Sequence, residues 1–236
     1  MFSHQGIYSV VAESQGKIVG SNCMDERSPI AGIGPITIDP GAQNKGVGQA
    51  LMLAVLDRAA ERKFAGVRLV QAAFHNRSLS LYTKLGFITR EPLSCMQGEP
   101  IGKPVEGYTV RAARPGDLEA GNALCARVHG HCRGGELSDA IAHGTATVVE
   151  CRGRIAGYAS AMAFFGHAVA EDNTGLQALL AAAPAFGGPG ILVPTRNYEL
   201  FRWCLENGLR VVQPMTLMTV GLYNEPCGAY LPSILF

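Results

Sequence analysis

The spacing of apolar residues along the chain predicts strands that alternate with helices. Val47, Leu51, Ala54 and Val55 recur at i, i+4, i+7 and i+8, the interval of a helix with one apolar face. An apolar strand over residues 33–38 comes before this helix, and a loop with several glycines joins the two. The pattern therefore predicts an α/β (α+β) fold class, in which the apolar face of each helix packs on a sheet.

The same order of elements occurs twice in the chain. Residues 11–20 align without gaps on residues 148–157, and both segments read as strand, tight turn, strand. Residues 86–96 align in the same way on residues 208–218. A helical stretch that opens at an asparagine, Asn76 or Asn197, precedes each of these later segments, and asparagine is a favoured N-cap residue. We therefore predict two related units in tandem.

The two units differ in how they begin. The second unit has a leading strand and about 35 residues of helix and loop before its hairpin, whereas the first reaches the matching strand after ten residues. We predict domains at residues 1–97 and 108–236, joined by a linker rich in glycine and proline at residues 98–107. The first domain then lacks an N-terminal strand and two helices, so that this part of its fold is truncated or is supplied by the second domain or another subunit.

Charge and composition exclude several classes of protein. The 20 basic and 19 acidic residues give a net charge of +1, which argues against nucleic acid as a partner. We expect no membrane span, because no apolar run reaches the required length of about 18 residues, and the first residues lack the features of a signal peptide.

The seven scattered cysteines fit reduced thiols in a cytoplasmic protein. His129, His131 and Cys132 cluster locally but have no second pair at a suitable distance, so we expect no metal.

The loop between the first apolar strand and its helix is a candidate anion site. Gly46 and Gly48 have no Cβ, and the unpaired backbone N–H groups at a helix N-terminus attract negative charge. The side chains of Gln43 and Lys45 would add hydrogen-bond donors. Tight turning alone also explains glycines at such a place, and the spacing matches neither common phosphate-binding fingerprint, the P-loop or the dinucleotide motif.

Two motifs together resemble the GNAT superfamily of acyl-CoA-dependent N-acetyltransferases. Gln43-x-x-Gly46-x-Gly48 is similar to the family's Q/R-x-x-G-x-G/A signature, and Asn76 with Tyr82 and Gly86-Phe87 is similar to its N-x-x-A-x-x-x-Y-x-x-x-G-F segment. The resemblance implies tandem mixed, mostly antiparallel twisted sheets flanked by helices, with acetyl-CoA as co-substrate. It also implies cofactor contacts at these residues: Ile36, Thr37, Ile38, Gln43, Asn44, Lys45, Gly46, Val47, Gly48, Gln49 and Asn76.

By the same resemblance, Tyr82 is the catalytic general acid. The departing thiolate needs a proton, and a phenol is a suitable donor. The helical spacing of Leu79, Tyr82 and Leu85 also fits a core aromatic. A general base is harder to assign. GNAT enzymes often use a glutamate on the strand before the glycine loop or a water chain, but in this sequence that strand, residues 32–38, contains no carboxylate. Asp25 and Glu26 are the nearest candidates, and deprotonation through water is our default.

The second unit departs from the family pattern in ways that predict a non-catalytic domain. Glu171 and Asp172 replace the glycine loop, and two carboxylates would repel a pyrophosphate. Six residues after Asn197, where the first unit has its tyrosine, stands Trp203. His167, Arg196 and Tyr198 are the other distinctive side chains, for which packing or solvation is the simpler interpretation. The apolar C-terminal run, residues 224–236, is expected to tuck against a domain.

Two hypotheses follow. The first is an enzyme that transfers an acetyl group from acetyl-CoA to a primary amine of a small molecule or peptide, by direct attack in a ternary complex. The alternative is a non-catalytic module that binds or senses acyl-CoA, which the missing base favours. The sequence leaves the acceptor and the question of a homodimer open.

Overall fold

The computed structural model describes residues 4–235, and the predicted alternation of strands and helices is confirmed. The elements up to the linker segment are β1 (Ile7–Ser14), β2 (Lys17–Asp25), β3 (Ile30–Ile33), β4 (Thr37–Ile38), α1 (Val47–Glu61), β5 (Gly66–Ala72), α2 (Asn76–Lys84) and β6 (Ile88–Gln97). Those that follow it are β7 (Tyr108–Ala112), α3 (Leu118–His129), α4 (Gly134–Ala142), β8 (Thr147–Cys151), β9 (Arg154–Ala159), β10 (Ala168–Ala170), α5 (Asn173–Ala182), β11 (Ile191–Pro194), α6 (Tyr198–Glu206), β12 (Arg210–Gly221) and β13 (Ala229–Leu231). Within this described range, no helix is long and apolar enough to cross a membrane.

The two predicted hairpins have the same backbone geometry. Gln15 and Gly16 have φ values of 51° and 72°, and Arg152 and Gly153 have values of 51° and 75°. A two-residue turn with positive φ at both positions matches the twist of the flanking strands, which explains why glycine occupies the second position in each. Both ladders also shift register at equivalent places, after Ala12 in β1 and after Val149 in β8. The gapless alignment of these segments is therefore reflected in the backbone.

The two halves exchange strands to build their larger sheet. Its order is β1-β2-β3-β5-β12-β6-β11, with β4 paired to β2, and the other sheet has the order β13-β10-β9-β8-β7. Strand β12 comes from the second half of the chain, yet it lies between β5 and β6 of the first half. Strand β11, also from the second half, pairs with the other side of β6.

The exchange is symmetric about one pair of residues. Leu93 on β6 pairs with Met215 on β12, and these residues are equivalent in the alignment of the repeats. Outward from this pair, Ala73 donates to the Pro214 carbonyl at 3.0 Å and Thr195 donates to the Pro92 carbonyl at 3.0 Å, which is the same bond in each half. The four strands β5, β12, β6 and β11 thus follow a local two-fold arrangement, and neither half completes the sheet by itself.

Helix α1 packs on one face of this sheet through a buried stripe. Leu51, Met52, Val55 and Ala59 are its buried residues, so the predicted apolar face is confirmed, although Met52 and Ala59 lie closer to its centre than Val47 does. The opposite face is covered by another cluster of buried side chains. Its buried members are Val70, Leu93, Cys95, Leu192, Met215, Leu217, Ile234 and Leu235.

The C-terminal run is tucked against this second face, as expected. Ser233, Ile234 and Leu235 are buried, and a Cβ added at Gly32 would lie 1.8 Å from the Leu235 carbonyl oxygen. Only a residue without a side chain therefore fits on β3 at this position. Phe236, the last residue of the predicted run, lies outside the described residues.

Helix α4 from the second half packs against the loop between β2 and β3. The Arg27 guanidinium donates to Asp139 at 2.7 Å, and the Ser28 hydroxyl donates to the Cys132 carbonyl at 3.2 Å. A Cβ at Gly135 would lie 2.8 Å from the Arg27 carbonyl oxygen, so the backbones approach closely. The second half thus covers a part of the first half that has no N-terminal helices of its own within residues 4–97.

We predict that cutting the linker leaves the two fragments associated. A protease site inserted after Lys103 and then cleaved should give fragments that co-elute in size-exclusion chromatography and unfold in one transition, because β12 stays between β5 and β6. The uncleaved form of the same variant is the control. Two separate peaks, each with a folded circular dichroism spectrum, would contradict the exchanged sheet.

Candidate functional site

A cleft opens where two parallel strands part. Strands β3 and β5 pair from Ile30 with Gly66 to Ile33 with Leu69, and the chain then turns away so that β4 pairs with β2 instead. The predicted single strand over residues 32–38 is therefore two short strands. Because β5 loses its neighbour after Leu69, the backbone next to Ile36 and Ile38 faces open space.

A cavity of about 420 Å³ lies beside this opening, and most of the predicted site residues line it. The predicted residues in its wall are Ile36, Ile38, Gln43, Asn44, Gly46, Gly48, Gln49 and Tyr82. Four others that the sequence did not indicate are His75, Arg77, Ser78 and Leu81. Of these, Arg77 directly follows Asn76 in the chain, which is the one signal in the sequence that could have suggested it.

The other four predicted residues do not line the cavity. Lys45 and Val47 face a neighbouring groove between the glycine loop and the β1–β2 turn. Thr37 bonds the Ser21 hydroxyl at 2.8 Å, and Asn76 is exposed. The contacts of all the predicted residues with a coenzyme, including those that line the cavity, stay predictions.

The N-terminus of α1 lies at the wall of the cavity and has no side-chain cap. Its N-cap residue is Gly46, with a φ of 81° and no side-chain hydrogen bond to the helix. The first N–H groups of a helix have no partner within it and lie at the positive end of the helix dipole, so this terminus favours an anion. A Cβ on Gly48 would lie 2.9 Å from Ile38 Cδ1, which means that a side chain would fill the space between α1 and β4.

The wall of the cavity also contains a cationic side chain. The Arg77 guanidinium donates to the Asn44 side-chain oxygen at 3.3 Å, and Asn44 itself has a positive φ of 63°. Asparagine tolerates this left-handed conformation better than most residues. The bond links α2 to the glycine loop and brings a positive charge close to the uncapped helix.

Tyr82 lines the cavity and is only 6% exposed. Its ring packs against Phe87 with the centroids 6.0 Å apart. Burial raises the pKa of the Tyr82 phenol, and a hydrogen bond with Ser78 offsets part of that effect. Tyr82 is thus a core aromatic residue and also lines the cavity, with a phenol that stays protonated near neutral pH.

The two carboxylates considered as general bases are engaged in ion pairs. Glu26 accepts from Arg58 at 2.8 Å, and Asp25 accepts from Arg27 at 2.6 Å. Burial raises the pKa of Asp25, but the hydrogen bond and charge of Arg27 outweigh it, and the net pKa lies below its usual value. Both acids therefore act as structural anchors for the loop after β2.

No carboxylate stands among the described residues that line the cavity, and its one histidine is already engaged. His75 is the N-cap of α2, and its Nδ1 accepts from the Ser78 N–H at 3.2 Å. In a neutral ring Nε2 then carries the hydrogen, so neither nitrogen has a free lone pair. The predicted helix start at Asn76 is correct for the first helical residue, but the predicted cap is wrong by one position.

Because the cap of α2 is His75 and not Asn76, the alignment of α2 with α6 moves by one residue. Asn197 caps α6 by accepting from the Leu200 N–H, so it corresponds to His75. The bond from the Phe87 N–H to the Tyr82 carbonyl has its counterpart between Leu209 and Cys204, at 3.0 Å in each case. The residue equivalent to Tyr82 is therefore Cys204 and not Trp203. Burial raises the pKa of Cys204 to about 12, so it is a poor proton donor to a thiolate.

The helix that corresponds to α1 in the second half is capped by its own carboxylate. Asp172 accepts from the Gly175 N–H at 2.9 Å at the start of α5. Glu171 beside it pairs with Arg154, and with Arg127 at 3.6 Å. The anion position at this helix start is thus filled from within the chain.

The four distinctive side chains of the second half have separate environments. Arg196 binds Glu91 at 2.6 Å and Glu225 at 2.8 Å, Tyr198 is exposed, and Trp203 packs half-buried on a core cluster. His167 is fully buried, and its Nε2 lies 3.0 Å from His129 Nε2. Burial, followed by the charge of Arg133, holds the pKa of His167 well below its usual value, so the ring is neutral.

Comparison with known proteins finds a family model that matches the first half of the chain. Residues 2–87 match the model of the "Acetyltransferase (GNAT) family". A mycothiol acetyltransferase of Nocardia farcinica (strain IFM 10152) is 41% identical over 63 residues, which are 27% of this chain and 21% of that protein. The chain thus matches about a fifth of the length of this curated relative.

Solved structures share the fold of the whole chain. A putative acetyltransferase from Pyrococcus horikoshii superposes with a TM-score of 0.73 at 19% identity, over 91% of this chain and 73% of the other. A tandem GNAT protein from the clavulanic acid biosynthesis pathway gives 0.55 at 12% identity, over 92% and 84%. At these identities the likeness concerns the fold alone. It agrees with the predicted tandem arrangement of mixed sheets flanked by helices.

We predict that the His75 cap stabilises the wall of the cavity. His75→Ala should lower the free energy of unfolding by about 1 kcal/mol, because the Ser78 N–H loses its acceptor, whereas His75→Asn should keep most of it. Urea unfolding followed by circular dichroism measures both variants. Equal stability of the alanine and asparagine variants would contradict the role of the cap.

Proposed function

Because residues 2–87 match the model of the GNAT family of acetyltransferases, we propose that the chain transfers the acetyl group of acetyl-CoA to a primary amine, by direct attack in a ternary complex. The uncapped N-terminus of α1 beside the cleft is the observation that carries this proposal. We propose an acceptor amine on a small molecule or a peptide and, as the sequence suggests, a cytoplasmic site of action.

The pyrophosphate of the coenzyme would bind at the N-terminus of α1. Backbone N–H groups after Gly46 supply the donors, and the missing side chain of Gly48 leaves room for the ligand. Arg77 and Lys45 add positive charge on either side of the loop, and Gln43 and Gln49 add polar side chains. The pantetheine arm would then run between the parting strands, where Ile36 and Ile38 line the cavity.

The reaction itself needs an oxyanion donor and an acid. The amine attacks the thioester carbonyl, the C–S bond breaks, and the thiolate must be protonated as it leaves. A backbone N–H near residues 36–38 would stabilise the oxyanion, because a donor fixed in place needs no reorganisation. Tyr82 would supply the proton, since burial keeps its phenol protonated at neutral pH.

The proton of the attacking ammonium would leave through water. No carboxylate is among the described residues of the cavity wall, and both His75 nitrogens are engaged or protonated in the neutral ring. Asp25 and Glu26 are bound to arginines. A water chain is then the remaining path to solvent, so we expect the rate to rise with pH as the free amine becomes available.

The second half would act as a scaffold for the first. It supplies β12 to the first sheet and packs α4 on the β2–β3 loop, so it takes the place of the N-terminal wall expected from the family. Its own helix α5 is closed by Asp172, and Cys204 stands where Tyr82 is found. We therefore propose one coenzyme site per chain.

We predict that Gly48→Glu abolishes binding of coenzyme A. The new side chain meets Ile38 and places a negative charge where the pyrophosphate would lie. Gly116→Glu is the matched control, because a Cβ at Gly116 has no neighbour within 4 Å. Isothermal titration calorimetry should show binding in the wild type and the control only. Unchanged affinity in Gly48→Glu would refute the assignment of the loop.

We predict that Tyr82→Phe lowers turnover at least about tenfold while coenzyme binding is kept, because the ring stays and only the acidic hydroxyl is lost. A thiol-release assay with acetyl-CoA and a panel of amines measures turnover, and Tyr198→Phe is the control on an exposed tyrosine. Clear binding with no thiol release by the wild type, for any acceptor in a broad panel, would favour the non-catalytic acyl-CoA-binding module instead.

A further inference from the structure

Three side chains with metal-binding atoms meet in the interior of the second half. Cys125 and His129 lie on α3, and His167 immediately precedes β10. All three are fully buried, and their Sγ and ring nitrogen atoms lie within 4.8 Å of one another. None of them belongs to the cavity of the proposed acetyl transfer.

The local fold explains how they converge. Cys125 and His129 are four residues apart on a helix, so both point from the same face toward the sheet. Strand β10 pairs with β9 and β13 under that helix and brings His167 to meet them. The two Nε2 atoms are 3.0 Å apart and face each other.

The spacing of residues in the sequence argues against a metal site in this region. His129, His131 and Cys132 are close in the chain, and the lack of a second pair led us to expect no metal. In the folded chain, however, His129 lies close to Cys125, which is on the same helix, and to His167, which is 38 residues later in the sequence. The reason for that expectation therefore does not apply to the folded protein.

The surroundings carry charges that a bound ion must tolerate. Arg133 is buried next to the cluster, but it donates to Glu136 at 2.7 Å, so the pair is neutral overall. Arg68, whose guanidinium lies over the Tyr223 ring at 5.2 Å, and His131 face the same interior. The rings of Tyr158 and Tyr230 lie 5.9 Å from the His167 ring and 5.1 Å from the His129 ring. These phenols border the cluster without charge.

We propose that Cys125, His129 and His167 bind one zinc ion, through Sγ and the two Nε2 atoms. Thiolate and imidazole are the ligands that zinc prefers, and three protein ligands with a fourth position for water or a neighbouring hydroxyl are an established arrangement. On binding, the Cys125 thiol gives its proton to solvent and the thiolate sulfur bonds to the ion. The resulting thiolate offsets one of the two charges of the ion, which suits a site that already contains Arg68.

The competing explanation is a plain hydrogen bond between two neutral histidine rings. Such a bond engages one nitrogen of each ring and leaves the Cys125 thiol outside it. A zinc ion would instead use both Nε2 lone pairs and the sulfur together. It would also link helix α3 to the start of strand β10.

Because the cluster is buried, the ion has to enter as the chain folds, so the full chain is produced in zinc-supplemented medium and dialysed against a weak chelator. We expect about one zinc per chain by elemental analysis. Refolding with Co²⁺ should give the near-ultraviolet absorption of a cobalt–thiolate bond. Cys125→Ser should lose that band and retain at least tenfold less zinc. Cys204→Ser, which removes a buried thiol elsewhere, should keep both.

Two further measurements guard against a variant that fails to fold. His167→Gln should also lose the metal, and wild-type protein refolded with a strong chelator should have a lower Tm than the same protein refolded with zinc, a comparison that needs no variant. Wild-type protein without stoichiometric zinc and without a cobalt–thiolate band would overturn the proposal and leave the hydrogen-bonded histidine pair. Full metal retention in Cys125→Ser would overturn it as well. Acetyl transfer and coenzyme binding are not used as readouts, so the outcome is independent of the proposed function.

Discussion

The hydrogen-bonded ladder between β6 and β12 is the interaction on which the rest of the structure depends. It joins a strand of the first half to a strand of the second, and β5 and β11 extend it on either side. Each strand would otherwise expose a row of unpaired backbone groups, which are costly to bury and prone to wrong pairing. The register is fixed on both sides of Leu93 and Met215 by equivalent bulges at Arg90 and Val212. The two halves therefore share one continuous sheet.

This ladder also holds the candidate site in place. Strand β5 has β3 as a partner on one side only up to Leu69, and the cleft exists because the pairing stops there. A strand that lost its other neighbour as well would have nothing to keep its end in position. Since β12 pairs with β5 from Ala72 to Gly66, it supports the strand along its whole length. The geometry of the cleft is thus set by a strand that lies more than 130 residues away in the sequence.

How much of this was predictable depends on the range of the interactions. The hairpins, the apolar stripe of α1 and the glycine loop follow from local patterns, and the sequence predicted them with small errors in boundaries. The cap at His75 was missed because histidine is not among the preferred capping residues, and the neighbouring Asn76 is. That single position then shifted the counterpart of Tyr82 from Cys204 to Trp203. The strand exchange and the meeting of His129 with His167 could not be predicted, because both depend on tertiary pairing that leaves no periodic signal in the chain.

The two halves show how one backbone position can be open to a ligand or closed by the protein itself. Helices α1 and α5 start at corresponding places, and each begins with N–H groups that need an acceptor. Asp172 provides one within the chain, whereas Gly46 provides none, so the same terminus is satisfied in one half and available in the other. Closing a terminus in this way costs no stability, since a capping carboxylate is favourable for the helix. The second half can therefore close this helix terminus and keep its fold, and that fold is needed because β12 is an internal strand of the sheet on which α1 packs.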